Sequence, residues 1–211
     1  MTTQPVTIAQ HKFAYGYYRQ VWWNWLIGTA FFCGGLGGGL FLISLVTEYR
    51  LGMLLGYLIV MGGKNTAHLL YLGRPERFWR AALRPDRSWI ARGIWACGLF
   101  GLSGAVLLLP AFLGPAWQVS GWLMSAARIV AILSALVIMF YDGFVMNHSA
   151  SIPFWNTRLL PLLIMMYATL GGITLSLTIR ALQGYESRDT AWLEKAEPWL
   201  LVANFALLCL Y

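Results

Sequence analysis

Apolar stretches of about 20 residues recur along this chain, each as long as a helix must be to cross the hydrocarbon core of a bilayer. They are continuous rather than alternating and rich in Leu, Ala and Gly, so they read as helices and not as barrel strands. Only 11% of the 211 residues are charged, where a soluble domain needs roughly a quarter to clothe its surface. The expected fold is all-α, a polytopic transmembrane helix bundle with no room for a soluble catalytic domain.

Residues 1–21 form a polar N-terminal segment with Lys12 and Arg19. Residues 22–180 form the bundle, with spans at about Trp22–Val46, Leu51–Leu72, Ile90–Phe112, Trp122–Met146 and Leu159–Ile179. Trp22, Trp23 and Trp25 suit a membrane interface. A basic loop, residues 73–92, joins the second span to the third, and Gly114-Pro115 and Pro153 mark two later turns. A polar loop, residues 181–198, ends at Pro198, which suits a helix start. The run 199–211 is too short to cross and reads as the start of a further, truncated span. Five complete spans and the start of a sixth are therefore expected. The first apolar run is too long for a cleavable signal peptide, and no small-residue cleavage site follows it.

Cys33, Cys97 and Cys209 all fall inside apolar runs with no C-x-x-C pair, so no metal or iron–sulfur site is expected in this chain. The net charge of +7 sits between the spans, where basic loops report membrane orientation rather than nucleic-acid binding. Nine Lys and Arg residues lie on the side of the N-terminus and the basic loop against four on the other, which favours a cytoplasmic N-terminus.

Ionisable groups inside a bilayer are costly, so each needs a reason. Lys64, His68 and Tyr71 stand at i, i+4 and i+7 on one helical face. Tyr141 and Asp142 lie near the end of the fourth span, followed by Asn147 and His148, and Asn24 opens the first. With alternating spans, all of these share one layer on the side of the basic loop. Two readings stand. Lys64 and Asp142 can be a neutralising pair, His68 an interhelical hydrogen-bonding residue, and Tyr71 and Tyr141 interface aromatics. Together, they also fit a pocket for a lipid-soluble ligand that takes up or releases protons. Arg128, near the opposite end of its span, reads as a snorkelling side chain. Gly34/Gly38 and Gly35/Gly39 are overlapping G-x-x-x-G spacings, read as close helix packing or as bare backbone leaving room for a flat ligand. In the loop, residues 74–83 read as a short amphipathic helix with Pro75 in its first turn. Phe78, Trp79 and Leu83 would face the membrane, and Arg77, Arg80 and Arg84 water or a partner.

Several blocks resemble one family. Leu70-Tyr71-Leu72-Gly73-Arg74-Pro75-Glu76-Arg77-Phe78 and Ser88-Trp89-Ile90-Ala91-Arg92-Gly93 look like the loop of NrfD-type membrane subunits. Tyr141-Asp142-Gly143, Ile152-Pro153-Phe154-Trp155-Asn156-Thr157 and Leu160-Pro161-Leu162-Leu163 fit the same pattern, as does the Gly-rich first span. The family includes the polysulfide reductase membrane subunit and, more distantly, the dimethyl sulfoxide reductase anchor. The resemblance implies eight or more helices in the parent protein, no haem, and a place in a prokaryotic cytoplasmic (inner) membrane. It implies electron exchange between a quinone, menaquinone or ubiquinone, and a four-cluster ferredoxin-like iron–sulfur subunit serving a molybdopterin catalytic subunit. Carried over residue by residue, it makes Tyr141 a quinone-headgroup ligand and Asn24 a second polar contact. Many relatives have His or Asp where this chain has Tyr71, and His68 stands one turn earlier on the same face.

The combined expectation is a quinone-reactive, non-haem anchor. Tyr141, His68, Asn24 and Tyr71 would surround the quinone, Lys64 and Asp142 would handle protons, and Arg74, Arg77 and Arg80 would dock the iron–sulfur partner. Two rivals remain. A transporter or proton-translocating subunit would use Lys64–Asp142 as its ion site, although no inverted repeat is visible. A cytochrome b-type anchor needs two axial histidines, and only His68 is clearly inside a span, with His148 at a helix end and His11 outside.

Overall fold

The computed structural model describes residues 23–114, 119–149, 152–184 and 190–211. The expected polar N-terminal segment, Trp22 and Pro115 lie outside them. Among the described residues the chain is helical, without strands.

Helix α1, Trp25–Val46, begins where the Asn24 side chain accepts a hydrogen bond from the Leu26 amide at 3.0 Å, an ordinary N-cap. Helix α2, Arg50–Leu58, passes directly into a π turn, Ile59–Lys64, and then into α3, Asn65–Tyr71. A 3-10 helix, Pro75–Ala82, occupies the basic loop. Helix α4 is Trp89–Leu113, capped by Ser88, and ends at Gly114 with φ +80°, a left-handed backbone that suits glycine. Helices α5, Gly121–Asn147, α6, Leu159–Leu182, and α7, Ala191–Leu210, complete the bundle.

Among the described residues, four uninterrupted helices are long and apolar enough to span a membrane: α1, α4, α5 and α6. The chain is a multi-pass membrane protein. The expectation of five complete spans and the start of a sixth exceeds this count, for two physical reasons. The second expected span is helical throughout but broken into three segments by the π turn. The final helix starts at Ala191, so Pro198 lies inside it rather than at its start. Residues 191–198, expected as loop, thereby bring Glu194, Lys195 and Glu197 into its first two turns, which makes that end polar.

The glycine ribbon of α1 sets how the bundle closes. Gly34, Gly35, Gly37, Gly38 and Gly39 are all buried, and they serve three neighbours rather than one. A Cβ on Gly39 would collide with the Ala168 carbonyl oxygen of α6, and one on Gly37 would stand 2.9 Å from the Gly56 carbonyl oxygen of α2. On Gly38 it would press the Met139 side chain of α5 at 3.2 Å. Without side chains, α1 approaches all three helices backbone to backbone, the packing that small residues permit in lipid. Phe41 continues this centre. It lies edge-on to Phe100 of α4 with ring centroids 4.7 Å apart, among buried Val60, Ala131, Ala135 and Ile138.

Aromatic contacts pin the two ends. On the loop side Trp23 meets Trp155 edge-on at 4.8 Å, and Trp89 stacks flat on Phe144 at 4.0 Å. On the opposite side the Arg180 guanidinium lies 4.1 Å over the Tyr49 ring and donates to the Thr47 hydroxyl at 2.8 Å. Gly39→Ala should therefore force α1 and α6 apart and lower the thermal unfolding midpoint of the solubilised protein, at a cost of about 1–3 kcal/mol for overpacking. Gly28→Ala, where a Cβ would meet nothing within 4 Å, should leave the midpoint unchanged. Equal midpoints for the two variants would refute the backbone-contact account of the ribbon.

Candidate functional site

Lys64 ends the π turn and is 1% exposed, a lysine within the bundle. A buried ammonium needs partners, and it has two on α5. Its Nζ donates to the Tyr141 hydroxyl at 2.7 Å and stands 3.5 Å from Asp142 Oδ1, with Asp142 also 1% exposed. The nearer partner is the phenol, so the expected Lys64–Asp142 pair is a triad. The ammonium also lies 4.4 Å from the Tyr141 ring centroid and 5.8 Å from that of Phe31. Room for it comes from α1, since a Cβ on Gly34 would come within 2.7 Å of Nζ. The space at this glycine thus holds the lysine rather than a flat ligand.

Tyr141 is held equally closely from the other side. A Cβ on Gly93 of α4 would lie 2.5 Å from its ring, so Gly93 is the position that lets the phenol lie against α4. Phe31 of α1 bridges the cluster, with its ring centroid 6.0 Å from His68 and 6.4 Å from Tyr141.

These groups border a cavity of about 400 Å³ between the face of the π turn and α3 and the face of α4. Lys64, Asn65, His68 and Tyr141 supply polar atoms, and Met61, Leu69, Leu72, Ile90 and Ile94 an apolar wall. The His68 Nδ1 lies 3.2 Å from the Lys64 carbonyl oxygen. A carbonyl can only accept, so this contact places the proton on Nδ1 and leaves Nε2 as an acceptor.

The 3-10 helix roofs the cavity. With three residues per turn, side chains at i and i+3 eclipse. Phe78 and Ala81, three apart, both reach the cavity. Arg77 and Arg80 share the same three-residue spacing on another edge, Arg74 stands at the N-cap before them, and all three are exposed. The helix is tied down from α4 by Trp95, whose indole N–H donates to the Ala82 carbonyl at 3.0 Å. Arg92 donates to the Pro85 carbonyl at 2.8 Å and to the Asp86 carbonyl at 3.1 Å. Phe78 thus borders the cavity while remaining partly open to the surface, where Trp79 and Leu83 are also exposed.

Of the expected site residues, Lys64, His68 and Tyr141 meet at the cavity, with Asp142 behind them in the bundle. Asn24 does not join them: its side chain caps α1. Tyr71 is half-buried but outside the lining, because the wall continues from His68 to Leu72 instead. Phe31, Gly93 and Cys97 were missed. Gly93 and Cys97 are four residues apart and so share a face of α4, a signal the spacing already carried.

Removing the ammonium alone leaves Asp142 buried without its cation, with Oδ2 already lacking a hydrogen-bond partner. Lys64→Met should then destabilise the bundle by about 3–5 kcal/mol, and Lys64→Met with Asp142→Leu by clearly less. Equal unfolding midpoints for the single and double variants would show that the two groups are not coupled.

A family model described as DMSO reductase anchor subunit (DmsC) matches residues 45–209. No curated protein and no solved structure matches the chain. The match runs from the end of α1 through the cavity, its roof and α7, and it is to the relative that the motifs suggested as the more distant one. The chain belongs to the DMSO reductase anchor subunit family, membrane anchors of molybdopterin oxidoreductases.

Proposed function

We propose that this chain is a quinone-reactive anchor that passes electrons between the membrane quinone pool and an iron–sulfur subunit bound over the basic loop. That subunit would serve a molybdopterin catalytic subunit, as the family description and the NrfD-like, polysulfide reductase-like motifs suggest. The observation that carries the reading is the cavity. An ammonium, a phenol, an imidazole and the Asn65 amide converge on a largely apolar space between helices, which is what an amphiphilic redox ring with a hydrocarbon tail requires.

Bound there, a quinone supplies two-electron, two-proton chemistry. The residues of this chain bind, orient and move protons. The Lys64 ammonium has one N–H beyond those used on Tyr141 and Asp142, so it can hydrogen-bond a ring oxygen. Tyr141 accepts from Lys64 at the cavity wall, which sets the phenol between the ammonium and a bound ring. His68 Nε2, as an acceptor, is suited to take a proton from a hydroxyl. Asp142 keeps the ammonium charged.

Docking over the loop places a partner's cluster near this cavity, whereas docking on the far face would leave most of the ~30 Å hydrocarbon core between them. The edge formed by Arg77 and Arg80, with Arg74 just before it, suits carboxylates on that partner. Its only ion pair among the described residues, Arg77–Glu76 at 3.9 Å, is exposed and weak. On the Lys/Arg balance this face, with the N-terminus, is on the cytoplasmic side of an inner membrane.

Two outcomes are expected. Tyr141→Phe and His68→Ala should each lower quinol-linked turnover of the assembled complex about tenfold or more, the loss of one hydrogen bond to a charged or reacting group. Turnover driven by a soluble dye that reduces the partner subunits directly should be unchanged. Normal quinol-linked rates in both variants would exclude this cavity. Arg77→Glu with Arg80→Glu should release the soluble subunits from the membrane while the anchor stays folded, as read by fractionation and thermal unfolding. Retention of the subunits would place docking elsewhere.

A further inference from the structure

At the opposite end of the bundle, α1 turns into α2 through residues that hold one another. Thr47 caps α1 through the Ile43 carbonyl, and the Tyr49 amide donates to the Ser44 carbonyl at 2.7 Å. The Tyr49 hydroxyl donates to Gln183 Oε1 at 2.5 Å. Between them Glu48 has φ +52°, a backbone that glycine or asparagine adopts more cheaply. Its side chain is exposed and borders a second cavity of about 400 Å³, between this turn, the end of α4 and the start of α5.

Two arginines border the same space, Arg50 at the first residue of α2 and Arg128 on α5. Arg128 lies seven residues past Gly121, about 10 Å along the helix axis, in an otherwise uncharged run. It was read from sequence as snorkelling alone, yet it lines a cavity with a second guanidinium and a carboxylate. Among the described residues, Glu48, Arg50 and Arg128 make no ion pair or side-chain hydrogen bond, with each other or with any neighbour. The rest of the wall is apolar, including Met53, Leu107, Leu108 and Met124. Unpaired charges of both signs at the polar end of an apolar recess match a zwitterion that carries a hydrocarbon chain. A free inorganic anion would use neither the carboxylate nor the apolar wall.

We propose that this cavity binds a zwitterionic aminophospholipid. The guanidinium groups of Arg50 and Arg128 hold its phosphodiester, the Glu48 carboxylate takes its ammonium, and an acyl chain lies along Leu107 and Met124. This site is separate from the quinone cavity, and its test does not depend on electron transfer.

The test is the phospholipid that co-purifies with the full chain in its complex, quantified by mass spectrometry after exchange into vesicles of equal phosphatidylethanolamine and phosphatidylglycerol. The wild-type protein should retain phosphatidylethanolamine in excess. Arg128→Gln should lower the retained phospholipid about fivefold, the factor that corresponds to about 1 kcal/mol for one basic residue at a lipid surface. Arg128→Lys should restore much of it. Glu48→Gln should abolish the preference for phosphatidylethanolamine while phospholipid is still retained. Arg128 and Glu48 are exposed, so these variants keep the fold. Unchanged retention in Arg128→Gln, or a wild-type excess of phosphatidylglycerol, would overturn the assignment.

Discussion

A single ammonium organises the centre of this bundle. Lys64 is enclosed by protein, and a charge in that position is stable only with an anion or strong acceptor beside it. Asp142 and Tyr141 meet that demand from α5. Two bare positions give the arrangement room: Gly34 of α1 for the ammonium, and Gly93 of α4 for the phenol that receives its hydrogen bond. Four helical elements are thus committed to one charge. The π turn that ends at Lys64 belongs to the same constraint, since such turns interrupt helices mainly at functional positions and this one delivers the lysine.

Much of the layer was legible in the sequence because helical spacing is strict. Lys64 and His68 are four apart and must share a face, and Tyr141 and Asp142 sit at matching depth on another span. The hydrogen bond from Lys64 to Tyr141 was not legible, because adjacent residues on α5 point about 100° apart and spacing alone does not say which of the two meets the lysine. Asn24 carried two meanings at once. A polar residue in the expected layer is also what precedes a helix, and the N-cap role is the one it fills. The π turn was hidden for a different reason. Gly62 and Gly63 lie within it, but neither their spacing nor their type distinguishes a π turn from continued α-helix. The turn also breaks the second expected span into segments and lowers the number of uninterrupted spans to four.

The loop shows how a change of helix type alters a surface. As an α-helix, residues 74–83 would spread the arginines at three-residue spacing around the axis. As a 3-10 helix, the same spacing lines up Arg77 with Arg80 on one edge and Phe78 with Ala81 on the next, with Arg74 just before the first turn. One short element therefore carries a basic outer edge and an apolar inner edge, and the inner edge borders the cavity. Pro75 at its start and the Trp95 and Arg92 hydrogen bonds to backbone carbonyls near its end hold this geometry from outside the helix.

The two ends of the bundle differ in how they treat charge, and the difference follows from where water and lipid can reach. At the loop end, beneath the exposed arginines, one pair of charges is internal: Lys64 and Asp142 neutralise each other, and Lys64 borders a cavity whose other polar residues, Asn65, His68 and Tyr141, carry no second internal charge of the bundle. At the other end Glu48, Arg50 and Arg128 remain exposed and separate, with no protein partner among the described residues, although side chains of opposite sign line one recess. A buried charge left in that condition would be driven to pair or neutralise. Exposed charges at the interface can instead be completed by whatever the membrane supplies. The glycine ribbon of α1 joins the two ends. By holding α2, α5 and α6 close to its own backbone, it encloses Lys64 on the α1 side, while the two cavities lie against α4, away from the ribbon.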